Sequence, residues 1–313
     1  TITKRFSNKA VEFIKNNKED NFFIYLAHNL PHTPLYASED FLGKSKRGLY
    51  GDVIEEIDHG VGLIIEELKK NNLDKNTIIV FTSDNGPWLP FETHSGSAGL
   101  LREGKGTTWE GGQRVPGIFW GAGIKPGVIS YLGSTMDIFP TLLEMSNTSM
   151  VNDRIMDGIS MKNTLLDHEP SRRKVILYYR SREIYAVRYK EYKAHFITQG
   201  SYNYPIGSDR KIILDKPLLY NLNIDPSEKY NIADKKPEIL IEINKTIEMH
   251  KKNLNAPKDL LKERIYQSEE EDADGPGGKE EQKAEKKKAK KEKGEKMQLE
   301  EDDDEYDDEM DED

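Results

Sequence analysis

The stretch that most limits what this chain can become is residues 77–86, Thr-Ile-Ile-Val-Phe-Thr-Ser-Asp-Asn-Gly. Ile78 to Thr82 are β-branched or aromatic without a break, the pattern of a strand covered on both faces, as in the middle of a parallel sheet. The run ends in Asp84-Asn85-Gly86. In open α/β sheets the carboxyl edge of the strands is where ligands bind. A carboxylate and an amide oxygen at that edge are hard donors of the type that Ca²⁺ or Mg²⁺ accepts. The same residues are strong turn formers, so on this stretch alone both readings stand.

The flanking segments supply the rest of a layered α/β unit. Residues 4–18 carry Phe6, Ala10, Val11, Phe13 and Ile14 at helical spacing, an amphipathic helix. Residues 21–27, Asn-Phe-Phe-Ile-Tyr-Leu-Ala, read as a second buried strand, followed by the Pro-broken loop His28 to Pro34. Residues 50–70 place Val53, Ile54, Ile57, Val61, Ile64, Ile65 and Leu68 on one helical face. Strand, loop, helix, strand is the βαβ arrangement that pairs its strands in parallel. His32 then either faces the same edge as Asp84 or is a packing residue of a Pro-rich turn. Asp58 and His59, mid-helix beside Gly60 and Gly62, read as structural.

Residues 86–114 form a long Gly-rich connection, and loops of this length inside a compact domain are functional or disordered. Its Gly99-x-x-x-x-Gly104-Lys105 spacing approaches a phosphate-binding loop. Gly106 stands where a Ser or Thr should hold Mg²⁺, and no strand precedes the motif directly, so nucleotide binding is rejected. What remains is a lysine between two glycines, either a solvated loop residue or one whose backbone can approach an anion closely.

Residues 115–120 read as a further strand and residues 134–145 as an apolar helix interrupted by Pro140. Beyond a connector at 147–170, residues 175–179, 184–189, 192–198 and 218–221 are short strands at close spacing, an antiparallel sheet. Residues 237–253 supply a helix to cover it through Ile239, Leu240, Ile243 and Ile247. The expected fold class is therefore α/β, a mixed sheet flanked by helices over residues 1–170, followed by a small α+β module over 171–255. Residues 256–313 are a linker and tail. Residues 267–313 hold 22 acidic and 9 basic side chains, a net of −13, which leaves residues 1–266 at +3 of the chain's −10. Such a segment cannot bury enough surface to offset its chain entropy and should be disordered; its carboxylates suit Ca²⁺, a basic partner or plain solvation. The near-neutral remainder offers no nucleic-acid surface. There is no cysteine, hence no disulfide and no thiolate nucleophile. No apolar run approaches the roughly 20 residues of a membrane span.

Three motifs occur in order: Pro31-His32-Thr33-Pro34, Thr82-Ser83-Asp84-Asn85-Gly86, and Gly104-Lys105-Gly106-Thr107-Thr108-Trp109-Glu110-Gly111-Gly112. Together they closely resemble the formylglycine-dependent sulfatases, the arylsulfatase-like members of the alkaline phosphatase superfamily. The likeness extends to Met136-Asp137-Ile138-Phe139-Pro140, Leu219-Tyr220-Asn221-Leu222, Asp225-Pro226 and Glu228. It is strongest with animal arylsulfatases and the lysosomal N-acetylgalactosamine-6-sulfatase type. The resemblance implies an alkaline-phosphatase-like sheet and sulfate-ester hydrolysis. It also implies Asp84 and Asn85 as metal ligands, usually for Ca²⁺, Lys105 on the sulfate, and His32 bonded to the sulfate near the leaving oxygen. It further implies a sulfated small molecule or glycan as substrate and a lysosomal or extracellular location, and it leaves open a homo-oligomer. The family's nucleophile, a formylglycine made from Cys or Ser in Cys/Ser-x-Pro-Ser-Arg, has no counterpart. His168-Glu169-Pro170-Ser171-Arg172 mimics that motif with His at the modified position, and it lies downstream of the metal residues rather than upstream. The chain thus reads as the later part of such an enzyme, inactive alone. The alternatives are a phosphoester or phosphonate hydrolase of the same superfamily and a non-catalytic Ca²⁺-binding protein of the same shape.

Overall fold

The computed structural model describes residues 1–150, 153–202, 207–257 and 260. The tail expected to be disordered from residue 267 lies outside the described residues. Residues 1–248 form one compact unit, and a second begins at Met249.

The first part of the chain packs α1 (Ile2–Asn16) against α2 (Gly48–Lys70). Their seam joins two of the apolar positions the periodicity singles out to two small polar side chains. Thr3, Ser7, Ala10 and Ile14 are buried, while Phe13 is exposed. A Cβ built on Gly60 would lie 2.1 Å from Ser7 Oγ, so this glycine is what lets the two helices touch. Below α2, Val53 and Ile57 pack on Leu30 and Leu35 of the Pro-rich loop. Asp52 fixes the loop ahead of α2 by accepting from Gly43 N and Ser45 N, each at 2.8 Å.

β1 (Ile78–Thr82) pairs antiparallel with β2 (Gly117–Gly121), Val80 opposite Phe119. The expected parallel βαβ pairing does not form. Residues 21–27 belong to no ladder, and Phe23 and Tyr25 are 74% and 84% exposed. β1 is half-exposed rather than covered on both faces. Strand propensity describes how side chains fit a pleated surface; without a neighbour to take its N–H and C=O groups, a Phe-Phe-Ile-Tyr run stays merely extended.

After the Gly-rich connection, which contains the short α3 (Glu110–Gln113), come α4 (Ile138–Met145) and α5 (Lys162–Asp167). Pro140 does not break α4. It sits in the first turn, where its missing N–H has no intrahelical partner to lose, and a capped 3₁₀ turn at Thr135–Asp137 leads into it. Asp137 is fully buried against Arg173, which donates from Nε at 2.7 Å and also from Nη2, while Ile159 N donates to the same carboxylate at 2.7 Å.

The second sheet is a four-stranded antiparallel meander, β3 (Val175–Arg180), β4 (Glu183–Tyr189), β5 (Tyr192–Thr198) and β6 (Ile212–Asn221). One face presents Val187, Ala194 and Leu219 to Ile243 and Ile247 of α6 (Pro237–Asn253), the largest apolar cluster among the described residues. The other face carries Arg188, Lys193, His195 and Tyr220, placed side by side by the register Arg188 to Lys193 to Tyr220. Among the described residues no helix is long and apolar enough to cross a membrane.

Candidate active site

The Gly-rich connection is a compact knot of backbone. Gly86 N donates to Gly112 O at 3.1 Å, Lys105 N to Pro87 O at 2.8 Å, and Gly111 N to Arg102 O at 2.8 Å. A Cβ on Gly86 would sit 1.8 Å from Gly111 O, and one on Gly104 would sit 2.2 Å from Pro87 O. Any side chain at either position would force the two passes of chain apart. The glycines therefore build a fixed scaffold, with Asp84-Asn85 on one pass and Lys105 on the next.

Trp88 is the piece that gathers the expected site residues. The Lys105 ammonium lies 4.8 Å from its ring centroid, and the His32 ring lies 5.4 Å away. Phe91 at 4.5 Å and Tyr202 at 5.4 Å complete an aromatic wall. The indole Nε1 is buried with no acceptor among the described residues. His32 Nδ1 lies 2.7 Å from Thr33 O; a carbonyl can only accept, so Nδ1 carries the proton. Nε2 then acts as a donor only in the imidazolium form. Beside His32 opens a cavity of about 600 Å³ lined by Ile2, Leu30, Pro34 and Tyr36 among others.

Asp84 and Asn85 join this group through the backbone. Asp84 is exposed and has no ion-pair or hydrogen-bond partner among the described residues. Asn85 Nδ2 donates to Gly86 O at 2.8 Å, which leaves its amide oxygen as the ligand end. Both are hard oxygen donors and fit a hard cation as two of its six to eight ligands. No group of three or more His, Asp or Glu side chains able to hold a metal occurs among the described residues. His168 lies elsewhere, its Nε2 3.2 Å from Lys125 O and its ring packed on Gly127.

Beneath the lysine loop lies a buried charge cluster that sequence patterning did not single out. Lys193 Nζ donates to Glu110 Oε1 at 2.9 Å and lies 3.3 Å from Glu228 Oε1. His195 Nε2 is 2.7 Å from the same Glu228 oxygen, and its ring stacks on Trp109 at 4.0 Å. Lys193, His195 and Glu228 are all 0% exposed. Burial alone would raise the Glu110 carboxyl; Lys193 and Arg114 outweigh it and hold the group below the ordinary glutamate range. Burial also pushes His195 down, so the ring is neutral and its Nε2–H donates to Glu228. On paper Tyr-Lys-Ala-His-Phe in β5 alternates like a strand with one wet face, and nothing in that spacing announces that the wet face is covered.

Comparison with known proteins accounts for this architecture. The sulfatase family model matches residues 1–148, and the model of the C-terminal region of aryl-sulfatase matches residues 171–275. The arylsulfatase of Hemicentrotus pulcherrimus is 36% identical over 272 residues, covering 80% of this chain and 49% of that protein. The mouse (Mus musculus) N-acetylgalactosamine-6-sulfatase is 35% identical over 277 residues, covering 81% and 53%. The crystal structure of PsFucS1 sulfatase from Pseudoalteromonas sp. superposes with a TM-score of 0.72 at 28% identity, over 80% of this chain and 53% of that one. The chain spans about half the length of the curated relatives it matches. Its α/β part is thus built on the alkaline-phosphatase-like sulfatase fold. With both models matched in order and the relatives alike across both, the chain belongs to the sulfatase family.

Proposed function

We propose that the protein is a sulfuric ester hydrolase, acting on a sulfated small molecule or a sulfated glycan in the lysosomal or secretory compartment. The observation that carries this reading is the shared indole. Lys105 and His32 lie on Trp88, on the loop that leaves Asp84 and Asn85 at the end of β1.

Sulfuryl transfer needs negative charge neutralised on the non-bridging oxygens and a proton for the departing alkoxide. The Lys105 ammonium serves the first need. His32, with Nδ1–H fixed on Thr33 O, offers Nε2–H as imidazolium to the leaving oxygen as the S–O bond breaks. The cavity beside His32 gives the leaving group room. Asp84 and Asn85 would hold Ca²⁺, which when bound adds Lewis-acid polarisation of the sulfate. The attacking group is not among these residues, since the chain has no Cys/Ser-x-Pro-Ser-Arg motif, so the 313 residues alone should be inert. A glycan ester is favoured by the likeness to N-acetylgalactosamine-6-sulfatase.

The test is hydrolysis of 4-nitrophenyl sulfate by the full-length protein, with 4-nitrophenyl phosphate alongside. Turnover of the sulfate that is lost in chelator and restored by Ca²⁺ supports the assignment. A preference for the phosphate ester would overturn it, whereas sulfate turnover by the 313 residues alone would overturn only their expected inertness.

A further inference from the structure

Lysine is a compact charge on a flexible four-carbon stem, so its use at a reacting centre depends on what fixes its backbone. Lys105 sits midway along residues 100–110, and side chains more than ninety positions later hold that segment at several points. Ser227 Oγ donates to Leu100 O at 2.5 Å. Arg102 lies 3.6 Å over the Trp109 ring and donates from Nη1 to Glu228 O at 3.1 Å. Glu228 Oε2 accepts from Glu110 N at 2.7 Å. Ser201 Oγ donates to the carbonyl of Lys105 itself.

Glu228 is the common node. Its carboxylate takes a loop amide with one oxygen and both Lys193 and His195 of β5 with the other, and its own carbonyl takes Arg102. Its backbone is held at φ +52, a left-handed conformation that is strained for a residue with a side chain. Stability does not explain such a residue, because replacing buried ion pairs with packed apolar groups is often neutral or stabilising. Fixing one arrangement of the loop does explain it.

We propose that Glu228 is the positioning residue of Lys105, holding the 100–110 segment so that the ammonium stays over Trp88 and meets the sulfate. The proposal rests on the assignment of Lys105 to the sulfate. The experiment compares Glu228→Gln, Ser201→Ala, Lys105→Ala and the pairs of each with Lys105→Ala, all in the full-length protein. Glu228→Gln should lower kcat/KM for 4-nitrophenyl sulfate about 10- to 100-fold, since small misplacements of a reacting group cost that much. In the Lys105→Ala background the same change should cost less than about 2-fold, because coupled residues are non-additive. Amide hydrogen exchange over residues 100–110 should quicken in Glu228→Gln while α1 is unchanged. If Glu228→Gln does not fold, Ser201→Ala takes its place, with a roughly 3- to 10-fold loss that likewise vanishes in the Lys105→Ala background. Equal losses with and without Lys105, or unchanged exchange over 100–110, would overturn the proposal. Absence of any sulfatase activity in the wild type would instead sink the functional assignment, and the exchange measurement would then decide this proposal alone.

Discussion

The two sheets divide the work of the molecule. The β1–β2 pair is thin and half-exposed, with Phe81 and Ile118 on its surface, and it carries the loop where Asp84, Asn85, Trp88 and Lys105 gather. The β3–β6 meander is covered on both faces, by α6 on one side and by the Trp109-Glu110 segment on the other. The first leaves Asp84 at an edge with no ion-pair or hydrogen-bond partner among the described residues. The second pairs the charge it buries, Lys193 on Glu110 and Glu228, and gives Glu228 a hydrogen bond from the neutral His195. Substitutions in the meander should therefore register as lost stability, and substitutions at the Trp88 cluster as lost rate.

The hardest blow to the stable half is Ile243→Ala, at a site with no exposure in the core beneath α6. It should cost about 2–5 kcal/mol, cavity included, read as a lowered midpoint in urea. A comparable loss, about 3–5 kcal/mol, is expected of Arg173→Met, which strands the buried Asp137 carboxylate. Lys105→Ala should do the opposite. In the role proposed for it Lys105 stabilises charge, so its loss should lower kcat by about 10²–10³, with an unfolding midpoint within about 1 kcal/mol of wild type, the size of a partly exposed cation–π contact. A Lys105→Ala protein that melts early but turns over normally would break the division.

How much of this was readable in advance follows the same line. α6 begins at Pro237, a residue preorganised for the first helical turn, and its apolar positions recur at helical spacing, so its limits stand in the sequence as they stand in space. β5 is equally plain over Tyr192–Thr198. The three ordered motifs named His32, Asp84, Asn85 and Lys105, but not the ring between them, because Trp88 follows Asn85-Gly86-Pro87 with no spacing rule to mark it. Residues 21–27 misled, since propensity cannot say that a partner is absent. The charged face of the meander was illegible for a different reason. Lys193 and His195 look solvated until Glu110 and Glu228, 83 and 33 positions away, are seen to close on them.

The finest test of the division is titration of its buried half. Burial holds His195 below the ordinary histidine range in the folded protein, whereas in the unfolded chain it takes a proton near pH 6.5. Between these two values the unfolded state binds one proton more than the folded state, so stability falls as pH falls through that window and levels off below it. Above pH 6.5 the residue contributes no slope. One proton limits the effect to about 1.4 kcal/mol per pH unit. Glu110, held low by Lys193 and Arg114 despite its burial, loses its contribution only at more acid pH, below the unfolded glutamate range near 4.3. Urea unfolding between pH 7.5 and 5.0 should therefore show a slope that His195→Gln reduces, because a glutamine amide can still donate to Glu228 but cannot titrate. An unchanged slope in that variant would mean that the ring takes up its proton alike in the folded and unfolded chains. Below pH 6.5 the β5 face would then set two cations, Lys193 and His195, on one oxygen of Glu228, and burial would not be what governs the ring.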